Sequence, residues 1–226
     1  MADAPDPQPI HDAATLILLR QGADGPSVLM GQRGAGAVFM PSKFVFPGGR
    51  VDPADADVAL TPGLDPAMVR QLARHAPDGI GPTLAATAIR ELWEETGLRL
   101  ARPGTPPPAP PKGWAGFYET GHVPAAETLR FIFRAITPPG RPRRFDARFF
   151  LADAAQIAGD ADDFSQADQE LSHLAWVSLA EARTLDLPFV TRVVMATLAE
   201  HVADPDARHD VPFFRHGVSR SEFLTL

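Results

Sequence analysis

Residues 90–98 have the sequence RELWEETGL, and this stretch decides how the rest of the chain is interpreted. Its apolar positions recur at helical spacing, and the pattern predicts a helix over 83–96 that ends at the following glycine. At about 100° per residue, Glu91, Glu94 and Glu95 fall on one side of that helix, roughly opposite the apolar side. The sequence therefore predicts a helix that packs through one face and presents three carboxylates on the other.

These three carboxylates are unfavourable where they stand. Like charges at this spacing cost roughly a few tenths of a kcal/mol each, and the carboxyl-terminal end of a helix disfavours anions by about 0.3–1 kcal/mol more. A solvated acidic face is the ordinary explanation of such a pattern. Repeated violation of local rules favours a functional explanation, because converging hard oxygen donors are what Mg²⁺ or Mn²⁺ needs.

The stretch resembles the core of the Nudix box, Arg-Glu-apolar-any-Glu-Glu-any-Gly-apolar, at every defined position. Upstream, residues 46–52 (FPGGRVD) resemble the Gly-Gly turn that opens the box. The two halves are separated, because 34 residues lie between Asp55 and Arg90 where the box has seven, so 27 (34 − 7) are inserted. An interrupted box is similar to that of the Nudix branch containing the peroxisomal coenzyme A diphosphatases. The resemblance covers most of 11–203.

The resemblance implies a metal site for Mg²⁺ or Mn²⁺. Glu91 and Glu95 match the main metal ligands of the family, and Glu94 contributes a third carboxylate. The main-chain carbonyl of Gly49, in the Gly-Gly turn, would complete the coordination shell of the metal. These four residues form the metal site that the sequence predicts.

Two further residues of the box are expected to support this site. Arg90 would orient the glutamates by charge-assisted hydrogen bonds, which gives it a catalytic role without substrate contact. Asp55 stands where the box has its first glutamate. Because aspartate is one methylene shorter, we expect Asp55 to support the metal ligands rather than to bind the metal itself.

The reaction that the resemblance implies is attack of a metal-polarised water on one phosphorus of a diphosphate. A general base is expected outside the box, in the acidic segment before residues 174–178. Glu170 is our first choice, ahead of Asp168, Asp162 and Asp163, although loop carboxylates usually only keep a surface solvated. Glu94 remains an alternative base.

The substrate is expected to be a nucleotide-containing small molecule. Residues 142–150 (PRRFDARFF) resemble a strand of the coenzyme A diphosphatase branch, and Arg143 and Arg144 are candidates to hold an extra phosphate. Coenzyme A or an acyl-coenzyme A is therefore the favoured substrate. An ADP-ribose or NADH diphosphatase is the nearest alternative, and a non-catalytic nucleotide-binding regulator is another. The three intact glutamates argue against the regulator.

The order of elements predicts an α/β fold, the Nudix α/β/α sandwich with a mixed sheet and helices on both faces. We predict one domain over 1–226, with a disordered tail at 1–11, a surface insertion at 56–82 that forms one wall of the substrate pocket, and a C-terminal extension at 204–226. The predicted strands are 13–19, 28–33, 43–46, 128–137, 144–151 and 174–177, and the further helices are 66–76 and 188–202.

Composition excludes several classes of protein. The net charge of −7 argues against a general nucleic-acid binder, and the absence of cysteine excludes disulfides and thiolate metal sites. No apolar run approaches the roughly 20 residues that span a bilayer, and the N-terminus has no signal-peptide pattern. We therefore expect a cytoplasmic protein without a membrane or nucleic-acid partner, and leave a homodimer open.

Overall fold

The computed structural model describes residues 8–205, 207, 209–216 and 221–226, and its centre is a nine-stranded mixed sheet. The strands of this sheet are β1 (Ile10–Gly22), β2 (Gly25–Arg33), β3 (Phe44–Val45), β4 (Gly48–Arg50), β7 (Arg130–Ile136), β8 (Arg144–Asp153), β10 (Leu171–Ser178), β11 (Pro212–His216) and β12 (Ser221–Thr225). A second sheet has three strands, β5 (Arg99–Pro103), β6 (His122–Pro124) and β9 (Ile157–Ala158).

The main sheet has the order β10-β2-β1-β8-β7-β11-β12, with β3 added to β2 and β4 added to β1. Its β1–β8 and β7–β11 pairs are parallel and its other pairs are antiparallel. The helices are α1 (Pro66–Ala73), α2 (Ile80–Thr96), α3 (Ala115–Tyr118), α4 (Leu179–Ala182) and α5 (Phe189–Ala203). Three short 3-10 helices lie at Pro53–Asp57, Ala126–Thr128 and Ala154–Gln156.

Alternation along the strands places one apolar core on each face of the sheet. In β1, Leu16 and Leu18 enter a core shared with α1 and α2, whereas Ile17 enters a core shared with α4 and α5. A period of two sends successive side chains to opposite faces of a strand, so a continuous apolar run serves both cores. The predicted α/β sandwich with a mixed sheet is confirmed. In the described part of the chain, no helix is long and apolar enough to cross a membrane.

One predicted boundary is wrong. The sequence predicts a disordered tail to residue 11, but β1 begins at Ile10, which pairs with Arg144 of β8; residues 1–7 lie outside the described residues. The C-terminal extension at 204–226 contributes β11 and β12 to the main sheet. Phe213 of β11 is fully buried in the core beneath α1 and α2, so this segment contributes to the fold.

The insertion at 56–82 is not the surface excursion that the sequence predicts. Helix α1 begins after Asp65, whose carboxylate accepts from the main-chain nitrogens of the first turn, and it buries Met68 and Leu72 in the core. Arg134 of β7 fixes the end of this helix, since its guanidinium donates to the main-chain carbonyl of Arg74 at 2.7 Å. The insertion is therefore part of the folded domain.

Truncation of the insertion's core residue tests this placement. We expect Leu72→Ala to lower the free energy of unfolding by about 2–5 kcal/mol, because Leu72 is 1% exposed and its loss leaves a cavity. Arg70→Ala, on the solvent side of the same helix, is the control and should change it by less than about 0.5 kcal/mol. Urea unfolding measures both, and equal effects would mean that α1 is not a core element.

Candidate active site

The Gly-Gly turn and helix α2 lie in direct contact. A Cβ on Gly49 would stand 2.5 Å from the carboxylate of Glu91, and a Cβ on Gly48 would stand 2.7 Å from the main chain of β1 at Ala14. Both positions therefore require glycine for close approach of β4 to its neighbours. The main-chain nitrogen of Gly48 also donates to Glu95 Oε2 at 2.8 Å, so the turn touches two of the three predicted ligands.

The three glutamates differ in burial, which the sequence did not predict. The residue Glu95 is 2% exposed, while the side chains of Glu91 and Glu94 are 13% and 36% exposed. Burial raises the pKa of Glu95 well above its usual value, and the charge of Glu91 adds to the effect. Burial also raises the pKa of Glu91 to about 7, with the charge of Glu94 acting in the same direction. The predicted open acidic face is thus a partly enclosed one.

Arg90 lies at the centre of the site. Its Nη1 donates to Glu94 Oε2 at 2.7 Å and lies 2.9 Å from Glu91 Oε1. Its Nη2 donates to the main-chain carbonyl of Arg50, which follows the Gly-Gly turn, at 3.1 Å. One guanidinium thus contacts two of the predicted ligands and the strand that carries a third, as expected of a positioning residue.

Asp55 is fully occupied by protein donors. Its two carboxylate oxygens accept from Nε and Nη2 of Arg90, at 2.9 and 3.0 Å, and also from Thr87 Oγ1, Trp114 Nε1 and the Asp52 nitrogen. Burial alone would raise the pKa of Asp55. The hydrogen bonds and the positive charge of Arg90, together with hydrogen bonds from the Thr87 hydroxyl and the Asp52 main chain, lower it overall. A carboxylate so fully bonded supports Arg90 rather than reaching a metal.

Glu170 is brought to the acidic cluster from outside the helix. The loop before β10 is fastened to the end of α2, because the main-chain nitrogen of Asp168 donates to the carbonyl of Glu94 at 3.0 Å. The charge of Glu170 raises the pKa of both Glu91 and Glu95, although less than burial does. Its Oε1 forms an ion pair with Arg33 Nη2 at 2.8 Å, and half of its side chain is exposed.

Two other acidic candidates lie earlier in the same loop. Asp163 is exposed, and hydrogen bonds from Ser165 lower its pKa. Asp162 forms an exposed ion pair with Arg20 at 2.9 Å. Both carboxylates thus make contacts that fix the loop at its exposed surface.

The predicted substrate arginines separate into exposed and buried residues. Arg143 is exposed, whereas Arg144 is buried and donates to the main-chain carbonyl of Thr137 at 2.9 Å. Arg148 is fully buried with Asp146. The Arg144 guanidinium also donates to the main-chain carbonyl of His216, at 3.4 Å, so it bonds to strand β11.

Trp93 and Trp176 both pack against neighbouring side chains or loops. Trp93 makes an edge contact with Phe117, with ring centroids 5.8 Å apart. Trp176 donates to the carbonyl of Ala161, and the guanidinium of Arg20 lies 3.9 Å from its ring centroid. Trp176 therefore helps to fix the loop that carries Glu170.

Three residues of the site were missed. Thr87 lies one turn before Arg90 on the same helix, and that spacing is a signal that could have identified it. Arg33, at the end of β2, and Trp114, 59 residues from Asp55, have no local pattern that links them to the site. Only the fold places them there.

The chemistry of the donors suits a divalent metal. Glu95 is a buried carboxylate, and among the described residues no Lys, Arg or His nitrogen lies within the 4 Å of an ion pair, so a bound cation would compensate its charge. Within the described ranges, however, no three acidic or histidine side chains already surround a common point. The reason is visible in the contacts, because Arg90 holds Glu91 and Glu94, and Gly48 holds Glu95. Metal binding by Glu91 and Glu94 therefore competes with Arg90.

The chain belongs to the NUDIX domain family, whose model matches residues 9–198. A putative Nudix hydrolase 7 of Caenorhabditis elegans is 27% identical over 165 residues, which is 68% of this chain and 47% of that protein. An acyl-coenzyme A diphosphatase of Gallus gallus is 29% identical over 234 residues, covering 75% of this chain and 61% of that protein. The chain thus spans about half to three fifths of the length of these relatives.

A solved structure supports the same fold. The Nudix hydrolase of Alicyclobacillus acidocaldarius has a TM-score of 0.65 and 29% sequence identity, and the match covers 89% of this chain and 95% of that one. The NUDIX domain of Shewanella oneidensis NrtR, solved with ADP ribose, has a TM-score of 0.50 at 14% identity, so that likeness concerns the fold alone.

Removal of the Asp55 charge should expose its structural role. We expect Asp55→Asn to lower the free energy of unfolding at pH 7 by roughly 3–5 kcal/mol, because it leaves the buried Arg90 partly uncompensated. Since the folded-state pKa of Asp55 lies below its ordinary 3.8, this stability is present above that pH and is lost as the pH falls through the folded-state pKa. Urea unfolding of both proteins between pH 7 and pH 3 measures the difference.

The matched control is Asp57→Asn, an exposed carboxylate in the same 3-10 helix. Its free energy of unfolding should differ from the wild type by less than about 0.5 kcal/mol. A loss in Asp55→Asn no larger than in this control would show that the Arg90–Asp55 pair does not hold the site together.

Proposed function

We propose that this chain is a Mg²⁺- or Mn²⁺-dependent diphosphatase that hydrolyses the diphosphate linkage of coenzyme A or an acyl-coenzyme A. The observation that carries the proposal is the juxtaposition of the buried Glu95 and the largely enclosed Glu91 with the glycine turn at Gly48–Gly49. Buried like charges of this kind destabilise a protein unless a cation joins them. A divalent metal would compensate the negative charges of the glutamates and, at the same time, bind the phosphate groups of an anionic substrate.

The residues of the site have different roles in this proposal. Glu95 and Glu91, with Glu94 and the carbonyl of Gly49, would hold the metal. A bound Mg²⁺ or Mn²⁺ supplies Lewis-acid polarisation of the phosphoryl oxygens and of the attacking water. Arg90 orients Glu91 and Glu94, and burial of the cluster would strengthen its electrostatic contacts with the substrate.

Glu170 is the general base in this proposal. A carboxylate that ligates a cation is a poorer proton acceptor, so the base should lie outside the metal-binding set formed by Glu91, Glu94 and Glu95. Glu170 comes from another element, its charge is felt by Glu91 and Glu95, and its half-exposed side chain is open to water. Arg33 holds it beside the cluster. Glu94, which Arg90 engages and which belongs to the proposed ligand set, is the alternative base.

Support for coenzyme A as the substrate comes from the name of a relative, from the interrupted box and from the exposure of Arg143. The Gallus gallus relative carries the name of an acyl-coenzyme A diphosphatase, and the interrupted box resembles that branch. Arg143 is exposed, as a phosphate-binding guanidinium must be. An open cleft of about 330 Å³ is lined by Arg50, Asp52 and Arg90. Arg143 rather than the buried Arg144 is therefore the candidate for the 3′-phosphate.

Two substitutions separate the metal ligand from the base. We expect Glu95→Gln to lower kcat by about 10²–10³-fold and to abolish stabilisation by Mg²⁺ beyond that of NaCl at matched ionic strength. Glu170→Gln should lower kcat by about 10²–10⁴-fold and retain that stabilisation, near 2.7 kcal/mol at a hundredfold excess of Mg²⁺ over Kd. Single-turnover kinetics and thermal melts of the same samples give both quantities.

Glu200→Gln, an exposed substitution on α5, is the control and should change neither quantity. Activity of Glu95→Gln above about a tenth of the wild type would refute the metal assignment. Loss of the Mg²⁺-specific shift in Glu170→Gln would make Glu170 a ligand instead of the base.

The substrate is tested by the 3′-phosphate. We expect kcat/KM for dephospho-coenzyme A to be about 10- to 150-fold lower than for coenzyme A, which corresponds to about 1.5–3 kcal/mol for a lost charged partner. Arg143→Ala should remove this preference, whereas Arg141→Ala, an exposed neighbour, should keep it. Initial rates with both compounds measure the ratio for each protein.

Initial rates also distinguish the proposed function from the two alternatives, an ADP-ribose or NADH diphosphatase and a non-catalytic regulator. Turnover of ADP-ribose or NADH without turnover of coenzyme A would contradict the substrate and leave a diphosphatase. Absence of turnover with all of these compounds, in Mg²⁺ and in Mn²⁺, would contradict the enzyme and favour a nucleotide-binding regulator.

A further inference from the structure

One edge of the main sheet combines open main-chain groups with exposed aromatic rings. Strand β12 ends the sheet, and within the described residues its only strand partner is β11. Phe223, at the middle of β12, is 62% exposed, and Phe189, at the start of α5, is 63% exposed. Phe214 of β11 joins them, with ring centroids 5.9 Å from Phe223 and 6.2 Å from Phe189.

The hydrogen-bond register shows which groups of β12 face the open side. Leu226 donates to the carbonyl of Val211 at 2.9 Å, and Pro212 stands opposite Thr225. Because bonded and non-bonded pairs alternate along an antiparallel ladder, every second residue of β12 turns its N–H and C=O away from β11. The position of Pro212, which has no N–H, agrees with this register. The residues whose main-chain groups face outwards are Ser221, Phe223 and Thr225.

We propose that this edge pairs with β12 of a second copy of the chain, in an antiparallel arrangement with a two-fold axis at Phe223. Phe223 then stands opposite its own counterpart, and Ser221 of each copy stands opposite Thr225 of the other. All outward main-chain groups of the strand obtain partners, and the two sheets become continuous. The aromatic cluster of one copy meets that of the other, a contact that stabilises cross-strand pairs.

The charges of the strand also suit a second copy. Glu222 is the charged residue of β12, and it is already bonded to Arg215 of β11, whose Nε donates to it at 3.0 Å. In the two-fold register, Glu222 stands opposite Leu224, so no like charges are placed opposite each other. Sheet edges that avoid association usually carry lysine, proline or an inward-pointing charge, and Ser221, Phe223 and Thr225 supply none of these.

Because the chain contains no cysteine, single cysteines can test both the pairing and its register. Phe223→Cys should form a disulfide-linked dimer on oxidation, since directly opposed residues place their Cα atoms about 5.5 Å apart. Ser221→Cys alone should not, because its counterpart lies four residues further along the strand, about 13 Å away. Ser221→Cys mixed with Thr225→Cys should cross-link. Non-reducing electrophoresis of folded samples reports all three.

The non-covalent dimer is measured by analytical ultracentrifugation of the cysteine-free protein over a range of concentrations. Phe223→Lys should raise the dissociation constant at least about tenfold, because two lysines would oppose each other. Val38→Lys is the matched control, since Val38 is equally exposed, at 63%, but lies outside the sheet edge; it should leave the dimer unchanged.

Three outcomes would overturn the proposal. The first is a monomer at every concentration, which would leave the edge to a different chain or to none. The second is cross-linking of Ser221→Cys with itself, which would require another register. The third is equal weakening by Phe223→Lys and Val38→Lys, which would indicate unspecific apolar association. None of these measurements depends on catalytic activity, so the proposed function is tested separately.

Discussion

The buried ion pair between Arg90 and Asp55 is the interaction on which the rest of the site depends. It joins the two halves of an interrupted motif, because Asp55 follows the Gly-Gly turn and Arg90 lies on α2. The remaining Nη1 of Arg90 then reaches Glu91 and Glu94. Thr87 and Trp114 also donate to the carboxylate of Asp55 and hold it in place. Asp55 in turn fixes the orientation of Arg90, and Arg90 fixes the positions of the Glu91 and Glu94 carboxylates. The length of chain inserted between the two halves is immaterial to this geometry once the pair has formed.

Burial gives the acidic cluster its chemical character. Glu95 is buried and, among the described residues, has no ion pair within 4 Å, although the charge of Arg33 acts on it from further away; Glu94 remains partly open to solvent. The pKa values of Glu91 and Glu95 are raised because burial and the neighbouring carboxylates destabilise their charged forms, and the protein's own cations do not compensate for this. The close approach of Gly49 to Glu91 helps to enclose the acidic cluster, and any side chain at position 49 would collide with the Glu91 carboxylate. Strain of this kind, distributed over several residues, is typical of a functional site.

The sequence predicted the fold class, the helix at 80–96 to within three residues, and the central strands, because these depend on local periodicity. It also identified Asp55 and Arg90 from the box. Prediction from sequence failed for features that tertiary contacts determine. Burial of Glu95 depends on the position of β4, which helical spacing alone does not show. The prolines of the insertion weaken its periodicity and so predict a surface excursion, yet Leu72 is buried in the core shared with α2 and the sheet. Arg33 and Trp114 are distant in sequence from their partners, so no local pattern could have identified them.

The fastening of the loop before β10 to α2 has an evolutionary consequence. The bond between the two is made from main chain to main chain, from the nitrogen of Asp168 to the carbonyl of Glu94. Such a bond does not depend on the side chains of the two residues, so substitutions at other positions of this loop leave the link to α2 in place; the Asp168 carboxylate has a separate role, because it accepts from the Glu170 nitrogen at 2.8 Å. Proline is the residue that position 168 cannot accept, because it has no N–H to donate. Related chains that differ in the sequence of this loop can therefore present different side chains to the substrate over an unchanged acidic cluster, and divergence in specificity need not disturb the reaction centre.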